Sequence, residues 1–275
     1  MSAAATERKL KLPFVPEKEP YVPKTGLFGN ADDYNVYEMT QQEKVLAFVV
    51  GALATGAVLY VFYESLLVSL VVGLIGGVVF VPMRRNQLIE KRRKNLLMQF
   101  KDLLDALNTS LGAGRNVFDA FTMANGDLRT EYPADADIIK EVGVILTGIG
   151  NNRTIEEMLM DFGERSGLRE VKDFASVFST CYRKGGNIQD VIHNTVEVIT
   201  DGIEISMEIQ TMVSGQVTEQ NVMMVMPVVF VAMMKSMGGG LIDLSSTIGV
   251  LSMTAAIALF VIAYFVGKKI LDIKL

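Results

Sequence analysis

Residues 45–63 read VLAFVVGALATGAVLYVFY and residues 65–83 read SLLVSLVVGLIGGVVFVPM, and neither run holds an Asp, Glu, Lys or Arg. A helix of 19 residues rises about 28 Å, close to the hydrocarbon thickness of a bilayer. Glu64 alone separates the runs, so together they read as a transmembrane hairpin with a very tight outer turn. Arg84, Arg85, Lys91, Arg92, Arg93 and Lys94 follow directly. The excess of Lys and Arg in cytoplasmic loops places this cluster inside the cell, as a topogenic signal or a grip on anionic lipid.

Two more apolar stretches close the chain, Val222 to Ile242, interrupted by Lys235, and Leu244 to Gly267, followed by Lys268 and Lys269. Region 220–267 is therefore expected to form a second pair of transmembrane helices. Four spans leave both termini and the intervening region in the cytoplasm, in agreement with both basic flanks. Residues 1–42 are polar and hold Pro13, Pro16, Pro20 and Pro23, four of the seven prolines. Such a segment reads as a flexible arm, with a docking strand as the alternative. No cleaved-leader pattern opens the sequence, so delivery is expected to rest on the internal spans.

Residues 95–215 mix charged and apolar residues at helical spacing. Leu96, Leu97, Phe100, Leu103, Leu104, Leu107 and Leu111 form one stripe of period 3.6. Ile138, Ile139, Val142, Ile145, Leu146 and Ile149 form a second, with Pro133 suited to the first turn of that helix. Leu168, Val171, Phe174, Phe178 and Cys181 form a third, and Ile188, Val191, Ile192, Thr195 and Ile199 a fourth. Almost nothing alternates with period two. The fold expected is all-α: a cytoplasmic antiparallel helical bundle set between two transmembrane hairpins. The helix from Ile188 is expected to run on into the third span, with Pro227 as its kink position.

An internal repeat marks helix starts. GRNVFDAF at 114–121 aligns with GGNIQDVI at 185–192, and RTIEEML at 153–159 is a looser copy. In each, a capping residue (Asn116, Thr154 or Asn187) precedes an acid by three positions (Asp119, Glu157 or Asp190). The cap oxygen can accept the amide of the third helical residue, and the acid can answer the cap's own amide and favour the helix dipole. Gly112, Gly114, Gly150, Gly185 and Gly186 suit left-handed helix ends. An anion nest is the alternative reading of these turns.

Chemistry is constrained from several sides. The single Cys181 cannot form an intrachain disulfide, and the single His193 has no second imidazole for a metal or relay site. A net charge of −5 argues against nucleic acid as a partner. The mean hydropathy of +0.32 is that of a membrane protein. No phosphate loop, GxSxG elbow, HExxH or CxxC occurs, so no cofactor and no enzymatic activity are expected. The acids at Asp127, Glu131, Asp135 and Asp137 lack EF-hand spacing and read as a solvated face. The methionines from Met223 to Met237 suit either lipid packing or an adaptable partner surface. Glu156, Glu157, Asp161 and Glu164 are the candidate contact surface for a partner. Lys235, fourteenth in its 21-residue stretch, lies about 20 Å along the span and must snorkel outward or meet an acid such as Asp243 or Glu64.

The order of features resembles the F domain of type II secretion systems, in the form of the Tad-type (TadB-like) pilus platform proteins. FKDLLDALNTSLGAGRNVFDAF at 100–121, EEMLMDFGERSGL at 156–168 and FASVFSTCYRKGGNIQDVIHNTVEVI at 174–199 carry the resemblance, YRKGGNIQDVI most specifically. It covers about residues 40–275. The resemblance implies a non-enzymatic platform in the cytoplasmic membrane that couples an assembly ATPase to insertion of pilin or pseudopilin subunits into a fibre. It also implies contact with a second F-domain protein or with further copies of itself, and a pilin glutamate as one more partner for Lys235. A small-solute or ion transporter, resting on Lys235, and a membrane signalling scaffold are the competing readings.

Overall fold

The computed structural model describes residues 23–27, 29, 31–63, 65–236, and 251, 254–259, 262–263 and 266–267 of the last stretch, with the side chains of 235 and 236 excepted. All elements among the described residues are helices. α1 spans Gln41–Tyr63 and α2 Leu66–Gly112. They are followed by α3 (Val117–Glu131), α4 (Asp137–Gly150), α5 (Ile155–Ser166), α6 (Arg169–Lys184) and α7 (Ile188–Ser236). α1, α2 and α7 are long and apolar enough to cross a membrane. The chain is therefore a membrane protein. The expected fourth span lies for the most part outside the described residues, although Thr254 hydrogen-bonds Tyr63 at the end of α1 (2.8 Å).

The hairpin expected from 45–83 forms, but its second arm does not stop at the basic cluster. α2 continues for 47 residues through Arg84–Lys94 into the helical domain. Gln, Glu, Lys, Arg and Leu between 87 and 97 are all strong helix formers, so nothing there ends the helix. Pro82 alone interrupts the hydrogen-bond ladder, since it has no amide to give the Val78 carbonyl. α7 likewise runs unbroken for 49 residues from the domain into the third apolar stretch, with Pro227 inside it.

α1 and α2 pack closely because glycines line their contact. A Cβ on Gly73 would lie 2.9 Å from the Ala52 carbonyl oxygen, and one on Gly77 would lie 2.8 Å from both the carbonyl and the ring of Phe48. Close backbone approach of this kind is how helices associate where lipid removes the hydrophobic driving force.

The remaining helices surround one core. Each predicted stripe supplies it: Leu96, Phe100, Leu103, Leu104 and Leu107 from α2, Ile138, Val142 and Ile145 from α4, Val171, Phe174 and Phe178 from α6, Ile192 and Ile199 from α7. α3 adds Ala120, Phe121, Ala124 and Leu128, and α5 adds Met158, Leu159 and Phe162. Phe100 meets Phe162 and Phe174 edge-on at 6.0 and 5.6 Å. Short turns at 113–116, 151–154 and 185–187 join α2 to α3, α4 to α5 and α6 to α7. All three repeat copies consequently fall at the end of the domain remote from the apolar hairpin, and Arg183 reaches across that end to Glu156 (3.8 Å).

Two local expectations are corrected. α4 begins at Asp137, four residues after Pro133, because Pro133 instead heads a turn in which its carbonyl accepts the Ala136 amide (2.9 Å). Among the five glycines expected to be left-handed, only Gly114 and Gly185 have positive φ. Gly112 and Gly150 end inside their helices, and in the middle copy Asn152 takes the left-handed position at φ 60°. Asn tolerates that conformation better than other residues with a Cβ.

Candidate functional site

The helix starts come first. Asn116 Oδ1 accepts the Asp119 amide at 2.8 Å, and the Asn116 side-chain amide donates to the Asp119 carboxylate at 2.7 Å. The acid therefore answers the cap's side chain rather than its backbone. Thr154 Oγ1 accepts the Glu157 amide at 3.3 Å, and Glu157 lies 3.8 Å from Arg153. At Asn187 the side chain accepts from Gln189 at 3.1 Å, one residue before the expected Asp190. His193 is exposed, 3.7 Å from Glu197.

The acidic candidates do not form one open face. Glu156 is nearly buried beside Arg183, Asp161 accepts from Arg165 at 2.8 Å, and Glu164 pairs with Lys24 at 2.8 Å. The Lys24 ammonium holds the Glu164 carboxyl below its usual range. Glu157 remains outward. At 100° per residue, 157, 161 and 164 fall within about 60° of one another and 156 lies roughly 80° outside that arc. What separates the three is the partners that Asp161 and Glu164 take. The backbone of Lys235 belongs to α7, while its side chain, Asp243 and Glu64 lie outside the described residues.

Residues 31–40 correct the expectation of a flexible arm over the part described: they are docked against the domain on the side next to the hairpin. Tyr34 is fully buried. Its amide donates to the Arg165 carbonyl (3.0 Å) and its hydroxyl to Glu141 Oε1 (2.9 Å). Arg165, 1 % exposed, binds both oxygens of Glu141 at 2.7 Å, and also the Asp32 carbonyl at 2.9 Å. Arg92 grips Asp137 with two bonds of 2.9 and 2.7 Å, takes Asp32 at 2.7 Å, and stacks 4.6 Å above the Tyr34 ring. Arg93 donates to Asn35 and to the Tyr34 carbonyl.

Electrostatics keeps these groups in fixed states. Burial, then the charge of Glu141, pushes the Tyr34 hydroxyl far up, so it stays a donor. Burial pulls the Arg165 guanidinium down, but Glu141 and Asp161 more than reverse it and the group stays charged. A buried charge is tolerated only when paired and hydrogen-bonded. With its carboxylate and guanidinium engaged, this network works as a joint that ties the N-terminal segment to α2, α4 and α5. Among the described residues no group of three His, Cys, Asp or Glu is placed to hold a metal.

Sequence reasoning missed this network because its members lie 24 and 107 positions apart. A signal was nonetheless present. Glu141 sits three residues after Ile138 in an apolar stripe, and Arg165 follows Met158 and Phe162 on another. A charge on a core-facing position needs a buried partner.

The chain matches no family model, no curated protein and no solved structure.

Proposed function

We propose that the chain is a non-enzymatic platform in the cytoplasmic membrane of a Tad-type pilus or type II secretion-like machine. In this reading the helical domain is a cytoplasmic antiparallel bundle between two transmembrane hairpins, with both termini cytoplasmic. Its task is to couple a separate assembly ATPase to the insertion of pilin or pseudopilin subunits. The observation that carries the reading is continuity: α2 and α7 each run unbroken from an apolar stretch of spanning length into the domain core. A force applied to such a domain reaches the membrane without a slack linker. The resemblance of 100–121 and 174–199 to the F domain points the same way, and the sequence offers no phosphate loop of its own.

The ATPase would meet the end of the domain remote from the hairpin, where Phe118 and Tyr182 are exposed large side chains. Crosslinking in intact membranes, followed by purification of the full chain, should recover an ATPase. Phe118→Glu with Tyr182→Glu should abolish that recovery while membrane abundance holds. ATP hydrolysis by the pure protein, lost on changing its own residues, would overturn the reading. For Lys235, Met and Glu replacements should stop fibre assembly and Arg should retain it if the lysine meets a pilin acid; normal assembly in all three would leave a snorkelling lysine.

A further inference from the structure

We propose that Lys44 and Arg85 hold the headgroup phosphate of an anionic phospholipid in a cavity at the root of the α1–α2 hairpin. The cavity measures about 610 Å³, with Met39, Val81 and Pro82 in its apolar wall and Lys44, Arg85 and Glu38 among its charged residues. Lys44 immediately precedes the charge-free run 45–63 and Arg85 lies two residues beyond the run 65–83. Both cations therefore stand where the hydrocarbon ends, at the depth of lipid phosphates. Arg92 and Arg93, further along the same basic cluster, are engaged with Asp137, Asp32, Asn35 and Tyr34. Lys44 and Arg85 make no ion pair among the described residues.

Shape separates a lipid from a free anion. The volume is roughly twenty times the share of one water molecule in the liquid, far more than a bare phosphate fills. A shallow apolar groove of about 430 Å³ lines the same end of α1, formed with Val45, Leu46 and Val49. These three side chains are exposed. Beyond the cavity, the exposed apolar side chains of α1 and α2 give the acyl chains of a lipid held there a surface to lie on. Glu38 opposes the anion, so the three charged residues sum to +1. The inference needs only that α1 and α2 span a membrane, and stands apart from the platform reading.

The test uses the full chain in detergent micelles, with phosphatidylglycerol or phosphatidylcholine titrated in and bound lipid counted by native mass spectrometry. Lys44→Gln and Arg85→Gln should each weaken phosphatidylglycerol binding roughly fivefold, the size expected for one cation at an anionic surface. Lys44→Arg and Arg85→Lys should retain it, Glu38→Gln should tighten it, and phosphatidylcholine should be indifferent to all of them. Arg84→Gln removes the same charge one residue outside the cavity and should leave binding unchanged. Equal weakening by Arg84→Gln would replace the site with diffuse surface attraction and overturn the proposal. Displacement of the lipid by inorganic phosphate at comparable concentration would overturn it too, in favour of a free-anion site.

Discussion

Along its first turns α2 directs small residues inward and large ones outward: Ser69, Gly73 and Gly77 are buried, while Leu67 is 77 % exposed and Leu66, Leu70 and Val78 are exposed with it. Thirty residues later the same helix does the reverse, burying Leu96, Phe100, Leu103, Leu104 and Leu107 and leaving Lys91 and Lys94 outside. Water drives large apolar groups together at roughly 25 cal/mol per Å², whereas lipid gives them no reason to leave. One helix thus follows two packing rules, and the change of solvent along it is written in which side chains are hidden.

The largest expected effect lies where the water-facing rule is broken by a charge. Arg165→Met should lower the unfolding free energy of the detergent-solubilised chain by about 3–5 kcal/mol, because Glu141 is left buried without its cation, with the Tyr34 hydroxyl as its remaining donor. The double variant with Glu141→Leu should recover much of that loss in the same denaturation. A double variant as unstable as the single would show that the pairing is not the source.

A direct contrast between the halves of α2 comes next. Phe100→Ala should cost about 3–5 kcal/mol through a cavity in the core. Leu67→Ala should stay within about 0.5 kcal/mol, as for a residue outside any packed core. Similar losses at both positions would erase the distinction between the two halves.

Smaller still is the penalty for filling the glycine contact. Gly73→Val should cost about 1–3 kcal/mol by overpacking against the Ala52 carbonyl, and should lower the yield of a disulfide crosslink placed across α1 and α2. An unchanged yield would mean that glycine is not what sets the approach of the helices. Asn116→Ala should cost about 1 kcal/mol, the usual size of a lost cap, measured by thermal melting. No loss would count against the Asn116–Asp119 bonds as a helix start.

Much of the architecture was legible because it is local. The stripes through Phe100, Val142, Phe174 and Ile192 are read within one helix, and each faces the core. The uncharged runs at 45–63 and 65–83 needed only length and composition. What escaped depended on distance in sequence or on register. Continuity of α2 past Arg84 was hidden by reading a change of composition as a change of element. The docked segment was hidden because the prolines at 13 to 23 set the expectation for all of residues 1–42, while Tyr34 and Met39, beyond them, carry the burial. The acidic residues of α5 are neighbours in sequence, whereas the fold hands Asp161 to Arg165, Glu164 to Lys24 and Glu156 to Arg183, partners that local spacing does not show.

Pro82 stands where the two packing rules of α2 meet, with the Val78 carbonyl left without its helical amide. Stiffness along a helix comes from that ladder, so bending resistance is lowest at this one level of an otherwise stiff rod some 70 Å long. Tilting the domain about Pro82 is consequently the soft motion, while sliding it along the axis stretches every remaining bond. The swing has a stop: residues 31–40, bound to the domain at Arg165 and joined to α1 at Gln41, form a second short strut beside the first. α7, which also joins the domain to an apolar stretch and carries its own Pro227, stands beside both, so bending at Pro82 is limited by two further connections.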